Sequence, residues 1–306
     1  MFEVYVVSGP TASGKTAVAV ELAKEIGGEI ISADSMQVYI DMNIGTAKPT
    51  KAEMQGISHH LIDVCCPNEQ FSVAHYKKLA DCAILDVLSR SKTPILTGGT
   101  GFYINAVLYG AEFLDIDTIQ TNNLRSQFMH EAKLYGAKFL HDKLHAVDEA
   151  QANLIPQNNI WRLSTALAFF YLTGEKLSVH NKQQKSKPLR WKTGFYLLEH
   201  PREELYERIN ARTLKMFEAG FIDEVKFLLD KGYNECKPMQ GIGYREVCMF
   251  LKNKIEYDEM ISSMQQATRN YAKRQITWFK NQVKCACSIQ TSGKTMEQIA
   301  EQIILQ

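Results

Sequence analysis

The sequence predicts an α/β fold, in which a parallel β-sheet is flanked by helices and interrupted by an inserted all-helical domain. Short apolar runs, such as Val4–Val7 and Thr93–Thr97, alternate with helical segments in the N-terminal part, and this alternation is typical of parallel sheets covered by helices. From about residue 114 to 190, polar helical segments replace the short strands. We therefore predict an α/β core of residues 1–113 and 191–306, with a helical domain of residues 114–190 between its two parts.

The predicted elements follow from apolar spacing and from Gly or Pro at the boundaries. The strands are predicted at residues 4–7, 28–33, 93–97 and 191–198, and helices of the core at 16–26, 76–88, 201–217, 221–231 and 260–280. Within the insertion, helices are predicted at residues 126–134, 137–144 and 160–171, and a basic polar connector at 182–188.

The segment between the first strand and the first helix has the pattern G-x-x-x-x-G-K-[ST] of a phosphate-binding loop. Backbone N–H groups at the helix N-terminus favour a phosphate, Lys15 adds a point charge, and the Thr16 hydroxyl can bind Mg²⁺. We therefore predict a sheet like that of P-loop NTPases, and a substrate with a di- or triphosphate, as in ATP-binding and other nucleotide-binding proteins. The predicted diphosphate-binding residues of the loop are Gly9, Pro10, Thr11, Ala12, Ser13, Gly14, Lys15 and Thr16.

The charge balance, the apolar runs and the cysteine spacing limit the kinds of partner and compartment that we expect for this protein. The chain has 306 residues, with 35 Lys and Arg against 34 Asp and Glu, so a nucleic acid could be bound only by a local basic patch. No run of about 18 apolar residues occurs, and we expect a cytoplasmic protein without membrane contact. The seven cysteines lack paired C-x₂-C spacing, so we expect reduced thiols and no structural metal.

The ends of two predicted strands carry residues that indicate a reaction. The segment Thr97–Gly101 has no carboxylate to hold a metal, which disfavours nucleotide hydrolysis, whereas Thr100 offers a hydroxyl. The glycines there either let a ligand approach the backbone or form a tight turn. Asp34 follows the second strand, and it is either an N-cap or a base that accepts a proton from an amine or hydroxyl nucleophile. Together with the loop, these residues indicate group transfer with phosphate or diphosphate as the leaving group.

Three further segments carry weaker signals. We assign His59-His60 to structure, because neighbouring residues of an extended chain point to opposite faces and cannot easily share a metal ion. Gly241–Arg245 predicts a flexible loop with a basic end. The predicted C-terminal helix mixes charged and aromatic residues, and is either an RNA-binding face or a solvated amphipathic helix. The residues of that face are Arg269, Tyr271, Lys273, Arg274, Trp278 and Lys280.

Taken together, these motifs closely resemble the tRNA dimethylallyltransferase (tRNA isopentenyltransferase) family, in its bacterial form. The similar blocks occur in family order over nearly the whole chain, which makes the resemblance more specific than the phosphate loop alone. They are the loop itself, Ser32–Tyr39, Gly45–Pro49, His59–Asp63, Gly98–Tyr103, Met239–Tyr244 and Thr268–Phe279.

The resemblance implies transfer of a dimethylallyl group from dimethylallyl diphosphate to N6 of adenosine 37, next to the anticodon of a tRNA, with Mg²⁺. Asp34 would accept the N6 proton, Thr100 would position the amine, and Arg212 would bind the diphosphate together with the loop. The enzyme would act as a monomer on the anticodon stem-loop. The residues expected to bind tRNA are Asp34, Ser35, Met36, Gln37, Arg125, Gln157, Asn158, Asn159, Ile160, Trp161, Arg245, Arg269, Lys273 and Arg274.

The segment of residues 157–165 departs from the family pattern. The family usually has an Asn-Asp pair and a later Arg, whereas this chain has Asn158-Asn159 and Thr165. Two other functions remain open from the residues alone. The loop and a helical insertion also suit a small-molecule or nucleotide kinase, and the C-terminal helix would suit a non-catalytic RNA-binding module.

Overall fold

A computed structural model of the protein describes residues 2–112, 118–185, 187–283 and 285–306. The chain divides into two compact units, of which the first contains the residues up to Leu108 together with Trp191–Gln306, and the second contains Tyr109–Arg190. The expected boundary between residues 113 and 114 lies outside the described residues.

The first unit is built on a six-stranded sheet in which every described pair of neighbours is parallel. The strands are β1 (Val4–Ser8), β2 (Gly28–Ser32), β3 (His59–His60), β4 (Thr93–Gly98), β5 (Thr193–Glu199) and β6 (Cys287–Gln290), in the spatial order β3-β2-β4-β1-β5-β6. The predicted α/β class with a parallel sheet is thereby confirmed. The two edge strands were not predicted, because β3 has two residues and β6 has one buried side chain.

Helices make up most of the remaining chain. They are α1 (Lys15–Ile26), α2 (Lys51–Met54), α3 (Val73–Ser89), α4 (Gly101–Leu108), α5 (Thr118–Tyr135), α6 (Ala137–Val147), α7 (Glu149–Ala152), α8 (Ile160–Thr173), α9 (Leu177–Lys185), α10 (Arg202–Glu218), α11 (Phe221–Asp230), α12 (Tyr244–Leu251), α13 (Tyr257–Gln282) and α14 (Met296–Ile304). A 3₁₀ turn occupies Lys237–Gln240. The predicted long C-terminal helix is α13, which packs against α10 and α12.

The sheet lies in the interior of the first unit, as the burial of its inner strands shows. All five residues of β1 and all five of β2 are buried, as expected for strands covered on both faces. On one face α1 packs against the sheet and α14 packs against α1. Because β1 lies between β4 and β5, the carboxyl ends of these strands meet at one edge, where Ser8 pairs with Gly98 and with Leu197.

The second unit contains α5 to α9, and its core is formed by residues such as Phe128, Leu140, Leu163 and Leu167. The predicted connector of residues 182–188 is wrong over its first part, because α9 continues to Lys185. Gln and Lys are good helix formers, so a polar run need not be a loop. Ser186 of that connector lies outside the described residues.

Two general findings concern the whole described chain. None of the described helices is both long enough and apolar enough to cross a lipid bilayer. The seven cysteines are free thiols, and Cys65 is the buried one among them.

Candidate active site

The phosphate loop runs from the end of β1 to the first turn of α1. The Ser13 N–H donates to the Pro10 carbonyl over 3.2 Å, and Ala12 and Gly14 have φ angles of 64° and 82°. Gly14 is the N-cap of α1, where its left-handed conformation favours glycine. Lys15 and Thr16 are therefore the first two residues of the helix, beside its unpaired N–H groups. This is the geometry that the sequence motif predicts.

Side chains from α10 hold the outside of this loop. The Arg208 Nε donates to the Ala12 carbonyl over 2.8 Å, and the Arg212 Nη1 lies 3.4 Å from the Thr11 Oγ1. Arg212 was predicted to contact the diphosphate, and its guanidinium reaches the loop from one turn beyond Arg208. Both arginines place positive charge next to a loop with the phosphate-binding sequence pattern.

Asp34 shares an electrostatic environment with Lys15 and Arg212. Burial lowers the pKa of Lys15 to about 8, while Asp34 raises it and Arg212 lowers it further. Burial also lowers the pKa of Arg212, and Asp34 again opposes the change. Two partly dehydrated cations thus accompany one carboxylate, and the cluster has an excess of positive charge. Such a cluster favours a bound polyanion.

Asp34 makes the capping contacts that its position in the sequence suggests. Its Oδ1 accepts hydrogen bonds from the N–H groups of Met36 (2.9 Å) and Gln37 (3.3 Å), as a capping residue does. Within the described part of the chain, the hydrogen bonds to this carboxylate go to Oδ1. The Oδ2 is therefore available to a substrate.

Thr100 connects the ends of β4 and β2. Its N–H donates to the Ala33 carbonyl over 3.1 Å, and its Oγ1 accepts from the Ser35 N–H over 3.1 Å. A hydrogen bond from this hydroxyl also lowers the pKa of Tyr271 on α13, although burial is the larger effect and raises that pKa to about 12. The two predicted catalytic residues, Asp34 and Thr100, thus follow neighbouring strands that are joined directly.

The glycines after β4 are explained by the protein itself. A Cβ at Gly99 would lie 2.1 Å from the Gln275 Nε2, and one at Gly101 would lie 2.0 Å from the Trp278 ring. Side chains of α13 therefore occupy the space beside these glycines, where the sequence analysis allowed either a ligand or a tight turn. A tight approach of α13 to the end of β4 requires residues without side chains.

Gln275 forms a bridge that sequence analysis missed. Its Oε1 accepts from the Thr11 N–H over 2.8 Å, and its Nε2 donates to the Gly99 carbonyl over 2.9 Å. Only 6% of the residue is exposed. It therefore fixes the phosphate loop relative to the segment that carries Thr100.

The exposed side of α13 carries part of the predicted RNA-binding set. Lys273 and Arg274 are exposed, and with Trp278 they border an open groove of about 390 Å³. Arg274 lies over the Tyr271 ring at 5.7 Å, and Arg269 is bound to Asn210 through a 2.7 Å hydrogen bond. Lys273 and Arg274 are thus better placed for a phosphate than Arg269, whose guanidinium already has a partner.

The segment after Asp34 is fixed by its own contacts. The Gln37 side chain accepts from the Ser32 hydroxyl (3.1 Å) and donates to the Ala47 carbonyl (3.1 Å). Met36 is packed close to Gly241, where a Cβ would lie 2.9 Å from the methionine Cε. The predicted tRNA-binding residues Ser35, Met36 and Gln37 therefore surround Asp34 in a rigid turn.

Arg245 is the second residue of α12, and its Nε donates a hydrogen bond to the Glu246 carboxylate over 3.1 Å. The same glutamate caps the helix by accepting from the Gly243 N–H over 2.7 Å. The arginine side chain is 52% exposed. Arg245 is thus anchored at one side of its guanidinium and open to solvent at the other.

In the helical unit, two of the predicted residues come together. The Arg125 guanidinium lies 5.6 Å from the centre of the Trp161 ring, and it also donates to Asn122 over 2.8 Å. Trp161 is 55% exposed, and Gln157 and Asn158 are exposed as well. These residues form a surface on which a nucleotide base could stack.

The other two predicted residues of this segment have structural tasks. The Asn159 Oδ1 accepts from the Arg162 N–H over 3.2 Å, which makes it the N-cap of α8. Ile160 packs against the core of its unit. Capping suits Asn as well as the Asp of the family pattern, so the helix start does not require the family residue.

The histidine pair has structural partners, as the sequence analysis assigned. His59 Nδ1 lies 2.9 Å from the Ile57 carbonyl, and His60 Nε2 lies 2.7 Å from the buried carboxylate of Glu29. Arg90 and Lys92 bind that carboxylate as well, and Arg90 is the largest cause of a pKa far below the ordinary range for Glu29. The described residues contain no group of three or more His, Cys, Asp or Glu that could hold a metal ion.

Comparisons with known proteins agree with this architecture. A model of the IPP transferase family matches residues 37–282. The tRNA dimethylallyltransferase of Acetivibrio thermocellus is 45% identical over 281 residues, which cover 92% of this chain and 89% of the relative. The enzyme of the same name from Thermoanaerobacter sp. strain X514 is 44% identical over 281 residues, with coverages of 91% and 89%.

Solved structures give the same result. The full-length tRNA isopentenylpyrophosphate transferase of Bacillus halodurans aligns with a TM-score of 0.73 at 38% identity, over 99% of this chain and 95% of that chain. A eukaryotic dimethylallyltransferase acting on tRNA aligns with a TM-score of 0.83 at 27% identity, over 99% of this chain and 77% of that chain. The resemblance inferred from the motifs is confirmed, and the chain belongs to the IPP transferase family.

Proposed function

We propose that this protein transfers a dimethylallyl group from dimethylallyl diphosphate to N6 of adenosine 37 in tRNA. The bond between the allylic carbon and the diphosphate oxygen breaks, a bond between that carbon and N6 forms, and the N6 proton passes to Asp34. The products are N6-dimethylallyladenosine and diphosphate. The names of the relatives support the substrates, since they are called tRNA dimethylallyltransferases.

One observation carries the proposal: arginines of α10 contact the phosphate loop at the same edge of the sheet where Asp34 and Thr100 follow neighbouring strands. Cleavage of an allylic C–O bond spreads positive charge over the prenyl carbons and leaves negative charge on the diphosphate. Lys15, Arg212 and the loop N–H groups stabilise that negative charge, and this is the main electrostatic task of the site. Asp34, beside them, is the base. Thr100 positions the amine, because it is bound to the segment that holds Asp34.

The site suits Mg²⁺ as a partner of the diphosphate. The Thr16 hydroxyl would supply one oxygen ligand, because Mg²⁺ is commonly held by few protein oxygens together with substrate phosphates and water. When bound, the ion neutralises charge on the leaving diphosphate. This chain's part is to offer the hydroxyl at the first turn of α1, next to Lys15.

Each unit offers its own basic and aromatic surface to the RNA. In the first unit, Lys273 and Arg274 bind phosphates and Trp278 offers a ring for a base. In the second unit, Arg125 binds a phosphate and Trp161 offers a ring. The target adenine leaves its stack to reach Asp34, as bases must when their atoms react. We expect the protein to act in the cytoplasm as a monomer on the anticodon stem-loop.

The direct test is mass spectrometry of adenosine 37 after incubation of the purified protein with unmodified tRNA, dimethylallyl diphosphate and Mg²⁺. A mass increase of one dimethylallyl group is expected. Consumption of ATP with a small acceptor, while radiolabelled dimethylallyl diphosphate stays intact, would instead establish a kinase.

A variant separates an enzyme from a mere RNA-binding module. Asp34→Asn should reduce kcat by roughly 10²- to 10⁴-fold, because the proton acceptor is lost, and should change the tRNA Kd far less, because the amide keeps the size and one acceptor oxygen of the side chain. Asp230→Asn makes the same change at the exposed last residue of α11 and should have wild-type kcat. Equal rates in the two variants would remove Asp34 from the mechanism.

A further inference from the structure

His200 directly follows β5, and its side chain contacts the phosphate loop. Its side chain is 2% exposed. The Nε2 lies 2.9 Å from the carbonyl oxygen of Ser13, and the Nδ1 lies 3.0 Å from the Oε1 of Glu204. The imidazole therefore has a hydrogen-bonding partner at each ring nitrogen, and both partners are oxygens.

Both oxygens accept hydrogen bonds. The Ser13 carbonyl has no hydrogen to donate. The Glu204 carboxyl is ionised, and a hydrogen bond from Ser292 is the largest cause that lowers its pKa. A neutral imidazole has one N–H and one acceptor nitrogen, so it can serve only one of these partners. The observed pair of contacts is satisfied when both nitrogens carry hydrogen and the ring is a cation.

The other charged groups around His200 are few. On α10, Arg208 faces Glu204 and helps to lower the pKa of that carboxyl. Glu199 on β5 and Lys280 on α13 border the same cavity of about 270 Å³ as the imidazole. Glu204 is the acid that makes the direct contact, and it is therefore the group that compensates a charge on the ring.

The contact with Ser13 determines where the next N–H points. The Ser13 carbonyl and the Gly14 N–H belong to one planar peptide group and point in opposite directions. With the carbonyl held by His200, the Gly14 N–H is directed away from His200. Among the described residues it has no acceptor, whereas the Ser13 N–H is already used by Pro10. Gly14 thus provides a free N–H of the loop next to the N-terminus of α1.

We propose that His200 is a positioning residue of the phosphate loop, which Glu204 holds as an imidazolium and which orients the Gly14 N–H toward the bound diphosphate. Its charge also polarises the Ser13–Gly14 peptide, which strengthens that N–H as a donor. The identity of the anion rests on the proposed function, whereas the protonation of the ring and the orientation of the peptide do not.

The first test is ¹⁵N NMR of protein with labelled histidine, at neutral pH and without ligand. His200→Gln identifies the signals of this ring. We expect both of its nitrogens to carry hydrogen in the wild type. In Glu204→Gln the new amide can donate to Nδ1, so the ring should carry hydrogen at Nε2 alone. A wild-type ring with a single N–H overturns the proposal, whatever the protein binds.

The second test is the Kd of inorganic pyrophosphate by calorimetry. His200→Leu removes the donor and the charge, and should weaken binding roughly tenfold or more. Glu204→Gln removes the charge and keeps the contact with Ser13, so it should weaken binding less, by roughly threefold. His200→Gln should lie between the wild type and His200→Leu. The exposed neighbour Glu203→Gln is the control and should bind as the wild type does.

The outcomes separate this inference from the proposed function. If the wild type binds pyrophosphate and all variants bind it equally well, His200 does not position the loop. If the wild type does not bind pyrophosphate, the diphosphate function fails, and the NMR result still decides the state of the ring. Thermal unfolding identifies any variant that lost affinity because it did not fold.

Discussion

Replacement of Gln275 by Leu tests whether α13 holds the phosphate loop. The side chain makes two buried hydrogen bonds, to the Thr11 N–H at 2.8 Å and to the Gly99 carbonyl at 2.9 Å. Leucine has a similar size but leaves both backbone groups without a partner. A buried polar group without its hydrogen bond costs about 1–3 kcal/mol. For two such groups, and with some relaxation, we expect a loss of about 2–4 kcal/mol in the free energy of unfolding.

The Gln275→Leu variant should also lose affinity for the donor under conditions where it remains folded. Without the bridge, the Thr11 segment can move relative to Thr100, so the KM for dimethylallyl diphosphate should rise roughly tenfold under conditions where the variant is folded. The measurements are urea unfolding and initial rates of transfer. Gln282→Leu makes the same change at an exposed position of α13 and serves as the control. If Gln275→Leu matches this control in stability and in KM, the bridge has no role.

Three other expectations concern the donor, the metal and the RNA. Because burial lowers the pKa of Lys15 to about 8, its charge disappears as the pH rises through that value. The affinity for dimethylallyl diphosphate, measured by calorimetry, should fall about tenfold from pH 7 to pH 9, and Lys15→Arg should abolish this change. Thr16→Val should raise the Mg²⁺ concentration for half-maximal transfer roughly tenfold, and an unchanged requirement would remove Thr16 as a ligand. Trp161→Ala should raise the KM for tRNA roughly tenfold but not that for the donor, and the exposed Leu154→Ala should change neither.

The parts of the site that could be predicted from the sequence are those encoded locally. The phosphate loop lies between a strand and a helix that are adjacent in the chain, so its geometry follows from a few residues. Asp34 and Thr100 were placed together because parallel strands end at one edge of a sheet. The coupling of Asp34 with Lys15 and Arg212 agrees with that placement.

The parts that could not be predicted depend on long-range packing. Gln275 and His200 reach the loop from 264 and 187 residues away in the chain. Nothing in their local pattern distinguishes them from other polar residues of a helix or a strand end. In the insertion, conversely, Asn159 and Ile160 resemble contact residues by position, but α8 uses them as a cap and as a core residue.

The two hydrogen bonds at the Asp34 Oδ1 have a consequence for the entropy of activation. A free carboxylate on the surface samples several side-chain rotamers, and a reaction that needs one of them includes this restriction in its barrier. In Asp34 the N–H groups of Met36 and Gln37 select the rotamer when the chain folds. The direction of Oδ2 is thus set before any adenine arrives, so the approach of the amine requires little further ordering on the protein side.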